Sequence, residues 1–232
     1  MKKYSPVVIF ILLLIGMDLF AYIPIELFHI DMTGLSTSAK IIYTFITDII
    51  FMTIVFLIYR KRIVKEFREY FKNFDDNLFT SLEYYLVGLI IMLLSNKIIG
   101  YFFSGASANN ENTIRLLIDK YPLYMLFSVA IYAPLVEETI FRRSLKDIFN
   151  NFTNNNNITK YIYIISSGFI FALLHVIGSV NNMIDYIYII PYLSLGICFA
   201  MLYYKTNNLF STIILHSFHN LIALLLYLLI GG

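Results

Sequence analysis

The stretch Pro122–Phe149 reads PLYMLFSVAIYAPLVEETIFRRSLKDIF. As a helix it is long enough to cross the ~30 Å hydrocarbon core of a bilayer, which takes about 20 residues. Near its middle it sets Glu137 beside Glu138 and follows them with Arg142 and Arg143. A charged side chain at mid-membrane costs at least ~2.5–3.5 kcal/mol on insertion scales, so each one needs a reason. The stripe that carries these groups belongs at the centre of a helix bundle.

The rest of the chain supplies that bundle. Of its 232 residues, 59% are hydrophobic and 14% charged, and the mean hydropathy is +0.74. Soluble domains run near 45–50% apolar and ~25% charged. The chain therefore reads as an integral membrane protein without a large soluble domain. Six further apolar runs, near 7–28, 41–59, 82–103, 160–178, 184–204 and 208–230, join the quoted one. The expected fold class is all-α, a polytopic membrane helix bundle of about seven transmembrane helices. The first run follows Lys2 and Lys3, as a signal peptide would. It is too long for such a peptide's apolar region and no convincing small-residue cleavage site follows, so it reads as a span. The segment TNNNNIT (Thr153–Thr159) is polar loop, and no internal repeat is present. A single cysteine, Cys198, excludes an internal disulfide framework and a thiolate zinc site.

Basic residues set the orientation. With the N-terminus inside, inner segments hold thirteen of the 17 cations and outer segments three, namely Lys40, Arg115 and Lys120. The N-terminus is expected inside and the C-terminus outside. The segment RKRIVKEFREYFKNF (60–74) reads as a basic amphipathic helix on the inner leaflet, an anchor that touches anionic lipid. Two regions follow: an N-terminal membrane region of three helices over 1–120, and a second bundle over 121–232 that holds most of the polar residues inside spans.

Those polar residues share a spacing. Glu138 and Arg142, Phe171 and His175, and His216 and Asn220 are each i, i+4 pairs on three different spans. That spacing places both members on one helical stripe. Glu137 lies 100° around from Glu138, so the two carboxylates need not face the same partner. Each element alone is ordinary. A Glu–Arg pair cancels charge, a lone histidine or asparagine bonds between helices, and Phe171 packs. His29 and His219 keep that ordinary reading, and Asp18, Asp48 and Lys97 read as members of interhelical pairs. Two carboxylates, an arginine, two histidines and an asparagine at matched spacing are harder to attribute to packing. A carboxylate and a neutral imidazole on one water can deprotonate it for attack on a carbonyl. A second histidine and an amide can donate to the developing oxyanion. The same groups could ligate zinc. H-E-x-x-H and G-x-S-x-G are absent, so neither zincin nor serine-hydrolase chemistry is implied.

The order E-E-x-x-x-R, F-x-x-x-H, H-x-x-x-N, from about Ala133 to Asn220, resembles the CAAX protease and bacteriocin-processing family of intramembrane proteases. The resemblance implies that 121–232 is the catalytic bundle. It implies an endopeptidase acting on a membrane-associated peptide or protein, with Glu137 as general base and His175 as its partner in activating water. His216 and Asn220 would be the oxyanion donors, and Glu138, Arg142 and Phe171 the support. No cofactor is favoured. If zinc is present, Glu137, His175 and His216 would hold it, and the extra His219 could add a ligand. Arg143 stands where the family often has glycine. The remaining partners are the lipid bilayer and no nucleic acid. Ile, Asn, Lys and Tyr bias suggests an AT-rich genome, and hence a bacterial plasma-membrane protein that processes a peptide or prepeptide. The alternatives are a non-catalytic immunity or scaffold protein on the same fold, and a transporter, for which no repeated halves are found.

One length conflicts with this site. His216 lies roughly 12 Å from the inner start of its span and His175 about 22 Å from the inner start of its own. For the two to meet, the His175 helix must begin below the membrane, tilt or bend.

Overall fold

The computed structural model describes residues 4–103, 109–154, 156–178, 180 and 183–230. Lys2 and Lys3 of the orientation argument lie outside them. Among the described residues there is no strand. The helices are α1 (Ser5–Leu19), α2 (Tyr22–Phe28), α3 (Thr37–Lys72), α4 (Phe74–Phe102), α5 (Asn109–Lys120), α6 (Pro122–Phe152) and α7 (Asn157–Ile177). A 3₁₀ segment Met183–Tyr188 then leads into α8 (Ile189–Thr206) and α9 (Leu209–Ile230). Six of these helical segments are long and apolar enough to cross a membrane, or seven if α1 and α2 count as one broken span. The chain is a polytopic helical membrane bundle.

Two expectations change. The first span is not one straight helix, because α1 and α2 meet at a 75° bend. Pro24 explains the break. It has no N–H for the carbonyl of Phe20, and its ring would clash with that carbonyl in a continuous helix. The basic segment 60–74 is not a separate helix on the leaflet, since residues up to Lys72 continue α3. At 36 residues α3 is ~54 Å long, well beyond a ~30 Å hydrocarbon core. Its C-terminal part turns Ile63, Glu66 and Tyr70 inward, docking on the bundle while Lys61, Lys65, Arg68 and Lys72 stay exposed.

Helix α6 is the hub. Residues 138–145 are buried one after another, which is only possible when other helices surround all sides. Two π-helical segments, Ser128–Tyr132 and Thr139–Ser144, flank the α-helical turn Ala133–Glu138. The wide turn before Pro134 gives room for a ring that an α-helix would press onto the carbonyl of residue 130. Around α6, Val55 of α3, Phe171 of α7, Ala200 and Tyr203 of α8 and Leu209 of α9 close a common core with Val136, Ile140 and Phe141.

The helices beside α6 pack through small residues. A Cβ on Gly168 of α7 would lie 2.8 Å from the backbone N of Ile197, and one on Gly196 of α8 would lie 2.9 Å from the carbonyl of Gly168. Gly88 of α4 meets Cys198 at 3.0 Å in the same way. In lipid, where apolar burial gives little drive, such close backbone approach is a main source of helix association.

Local signals set the ends. Asn156 caps α7 in a capping box with Thr159. Asn207 ends α8 in the left-handed conformation, at φ 49°. Asn208 Oδ1 then accepts from the N–H of Phe210 at 2.9 Å and starts α9.

The stagger that the site required is present. His175 lies 18 residues into α7, ~27 Å, whereas His216 lies seven residues into α9, ~10 Å. Of the three polar residues expected in interhelical pairs, Asp48 accepts from Tyr124 at 2.9 Å. Asp18 and Lys97 are instead exposed on their helices. An exposed lysine five residues from the end of α4 can carry its ammonium to the membrane surface along its own stem.

Candidate active site

Three helices bring the motif residues to one point. The central turn of α6 supplies Glu137 and Glu138, the C-terminal part of α7 supplies Phe171 and His175, and the third turn of α9 supplies His216.

Glu138 and Arg142 form the buried foundation. Both side chains are fully buried, and Arg142 Nε donates to Glu138 Oε2 at 2.9 Å. Arg142 also donates through Nη1 to Ser167 Oγ at 2.7 Å. Its guanidinium lies 5.0 Å from the centre of the Phe171 ring. A buried charge is tolerated only with such a full set of partners. Phe171 therefore does more than fill space. Its ring faces the guanidinium, and its carbonyl takes the Nδ1 proton of His175 at 2.8 Å.

The two carboxylates, which by their 100° separation need not face the same partner, both approach His216. His216 Nδ1 lies 3.0 Å from Glu138 Oε1, and His216 Nε2 lies 4.0 Å from Glu137 Oε2. The imidazole thus stands between them, one ring nitrogen toward each. His175 Nε2 is 3.7 Å from the same Glu137 oxygen. An ionised Glu138 can only accept, as can the Phe171 carbonyl, so both histidines carry their proton on Nδ1 in the neutral ring. Both then turn Nε2 toward Glu137. Glu137 Oε2 is buried and has no hydrogen-bond partner among the described residues. The edge of the site remains open, with Glu137 16% and His175 20% exposed, against 6% for His216.

Asn220 bonds to α6 and not to these side chains. Its Nδ2 donates to the carbonyl of Val129, in the first π segment, at 2.8 Å. One amide hydrogen is thereby used to hold α9 on α6, which leaves the other. His219 bonds through Nδ1 with the hydroxyl of Tyr85 at 3.1 Å, an interhelical contact to α4. His29 ends α2 in the left-handed conformation.

Two contributors carried little signal in the sequence. Ser167 bridges Arg142 to the Phe141 carbonyl, to which it donates at 2.8 Å; it lies four residues before Phe171, on the same stripe. Tyr192 lies over His175, with ring centres 4.9 Å apart, and accepts from Asn110 of α5 at 3.4 Å. With 19 tyrosines in the chain, one more in a span is no signal.

The donor set bears on metal. Among the described residues, no group of three His, Cys, Asp or Glu is drawn tightly enough to hold an ion as it stands. Ligands of one tetrahedral zinc at ~2.0–2.1 Å lie about 3.3–3.4 Å apart. The gaps of 3.7 and 4.0 Å are wider by about half an ångström. The chemistry nevertheless fits, because each histidine has its Nδ1 proton anchored, the usual support of a metal-binding imidazole.

Comparisons with known proteins agree on kinship. Residues 119–222 match the family model described as type II CAAX prenyl endopeptidase Rce1-like. The membrane-embedded CAAX protease MroQ of Staphylococcus aureus (strain USA300) is 29% identical over 141 residues, covering 58% of this chain and 53% of that protein. YdiL of Bacillus subtilis (strain 168), named as a candidate membrane peptidase, is 28% identical over 158 residues, 66% of this chain and 59% of its own length. The alignments thus span a little over half the length of these curated relatives. No solved structure matches the chain at the same significance. All seven motif residues, from Glu137 to Asn220, lie inside the segment, residues 119–222, that is similar to the Rce1-like family of CAAX proteases.

Proposed function

We propose that this protein is an intramembrane endopeptidase that hydrolyses a peptide bond in a membrane-associated peptide or protein, with Glu137 as general base. The observation that carries the reading is Glu137 Oε2, a buried carboxylate oxygen with no hydrogen-bond partner among the described residues, set 3.7 Å from His175 Nε2 and 4.0 Å from His216 Nε2. Glu137 Oε2 and His175 Nε2 are two acceptors that face each other and need a donor between them, and water is the donor that hydrolysis consumes.

In this mechanism a water gives one hydrogen bond to Glu137 and one to His175 Nε2. Its oxygen attacks the carbonyl carbon as Glu137 takes the proton, a step in which a placed base contributes typically 10²–10⁴-fold. His216 carries both protons, Nδ1–H to Glu138 and Nε2–H to the oxyanion. Glu137 then delivers its proton to the leaving nitrogen as the C–N bond breaks. With His216 protonated, Arg142 and His216 balance Glu137 and Glu138, so the buried centre is neutral. The remaining N–H of Asn220 is the second oxyanion donor.

The anchored Nδ1 protons favour a second reading, in which Glu137, His175 and His216 close by about half an ångström around zinc. Zinc would there supply Lewis acidity and a more acidic bound water. The orientation with the N-terminus inside is part of the proposal, as is a bacterial plasma-membrane substrate of peptide or prepeptide type.

The test is purified protein in lipid discs, offered fluorogenic membrane-spanning peptides. Wild type should cleave and Glu137→Gln should not. Cleavage by Glu137→Gln at the wild-type rate overturns the role of Glu137. A wild type that cleaves nothing while it binds the peptides favours the non-catalytic immunity or scaffold reading.

A further inference from the structure

Outside the matched segment, Glu66 of α3 makes a buried contact with both helices that carry the carboxylates and His216. Its side chain is 8% exposed. One carboxylate oxygen accepts from Arg143 of α6, and the other accepts from the backbone N–H of Leu209, the first residue of α9, at 2.9 Å. The carbonyl of Glu66 accepts from Asn208 Nδ2, also at 2.9 Å. The Arg143 guanidinium in turn covers the Tyr203 ring of α8 at 5.2 Å. The first N–H groups of a helix have no partner within the helix, so Glu66 serves α9 as a cap delivered from another helix. A carboxylate there also suits the positive end of the helix dipole.

The placement matters because α6 and α9 are joined at three levels. The upper rung is Asn220 to the carbonyl of Val129, at 2.8 Å, and the middle rung is Glu138 to His216, at 3.0 Å. The lower rung is Arg143 to Glu66 to Leu209. His216 follows Leu209 by seven residues, two turns along the same face of α9, or ~10 Å. The upper two rungs act at His216 and beyond it. The lower rung is the one that fixes the two turns of α9 before His216 against α6.

We infer that Glu66 is a positioning residue: its carboxylate pins the first turn of α9 to Arg143 and so sets the register in which His216 meets Glu137 and Glu138. The inference rests on the proposed reading of the site, and its test carries one readout that does not depend on cleavage.

Two double variants separate the roles of Glu66. Glu66→Gln with Arg143→Gln removes both charges but keeps a side-chain oxygen for the Leu209 N–H. Glu66→Met with Arg143→Met removes the charges and the acceptor together. Replacing a buried ion pair by apolar groups of similar volume is often neutral for folding, so both variants should fold. The first readout is acylation of His216 by diethylpyrocarbonate, measured by mass spectrometry relative to His219 on the same helix and without substrate. The Met pair should raise that ratio at least about threefold, and the Gln pair should leave it unchanged. The second readout is kinetic. The Met pair should lower kcat roughly tenfold with KM within about twofold, since a site misplaced by a fraction of an ångström loses turnover before binding. The Gln pair should stay within about threefold of wild type. An unchanged labelling ratio in the Met pair overturns the inference whatever the activity, and so does an equal rise in both variants. If wild type itself fails to cleave, the endopeptidase reading falls, while the labelling ratio still decides whether Glu66 positions His216.

Discussion

Replacing Glu138 by alanine should unfold the protein more than it disables it, the reverse of replacing Glu137. Glu138 and Arg142 are both fully buried. Glu138→Ala removes the acceptor of Arg142 Nε at 2.9 Å and that of His216 Nδ1 at 3.0 Å. The guanidinium keeps Ser167 and the Phe171 ring, but no other ion pair among the described residues. Breaking a buried ion pair by removing one partner costs about 3–5 kcal/mol, a large share of a domain's ~5–15 kcal/mol. At ~2–4 °C per kcal/mol for a chain of this size, the midpoint should fall roughly 6–20 °C. The chain has no tryptophan, but its one cysteine, Cys198, is buried. A dye that fluoresces on reaction with a thiol therefore reports unfolding directly. Glu137→Gln is the control. Its Oε2 has no hydrogen bond to lose among the described residues, so its midpoint should stay within about 2 °C while turnover falls by roughly 10²–10⁴. Glu138→Met with Arg142→Met should recover most of the midpoint, because the orphaned charge is gone, and should remain inactive. A Glu138→Ala midpoint within about 2 °C of wild type would refute the division of labour between the two carboxylates.

Other perturbations test other layers. Gly168→Ala sets a Cβ against the backbone N of Ile197 at 2.8 Å; α7 must shift, and overpacking of about 1–3 kcal/mol should lower both midpoint and turnover. Gly100→Ala, with open space at its Cβ, should be neutral or slightly stabilising in the same dye assay. Dialysis against a strong chelator, with elemental analysis of the same sample, separates the two water-activating readings. Full turnover at far less than one metal per chain is expected for the metal-free one, and loss restored by added zinc would install Glu137, His175 and His216 as ligands. Reporter fusions after Asp76, Asn110 and Asn154 should read inside, outside and inside, and an outside signal at Asn154 would invert the proposed topology.

What the amino-acid sequence determined by itself is what depends on short range. Hydropathy over about 20 residues marks the spans because a bilayer has a set thickness and leaves no water for backbone groups. The i, i+4 spacing marks the stripes of α6, α7 and α9 because helical geometry is the same everywhere, and Glu138 does meet Arg142 as that spacing requires. Pro24, read with its ring in mind, was a local signal for the 75° break that hydropathy averaging conceals. Tertiary structure decided everything that joins distant positions. His216 stands between two adjacent carboxylates because α9 enters at one height and α7, about 16 Å longer before its histidine, enters at another. No spacing within a helix encodes that offset. Close approach at Gly168 and Gly196 sets how near α7 and α8 may come. Glu66 and Arg143, 77 residues apart, find each other only once three helices are packed. In the sequence Glu66 was one acid in a basic segment. In the fold it is a buried cap, because a charge that enters a core must take its partners from whichever helices the packing places around it.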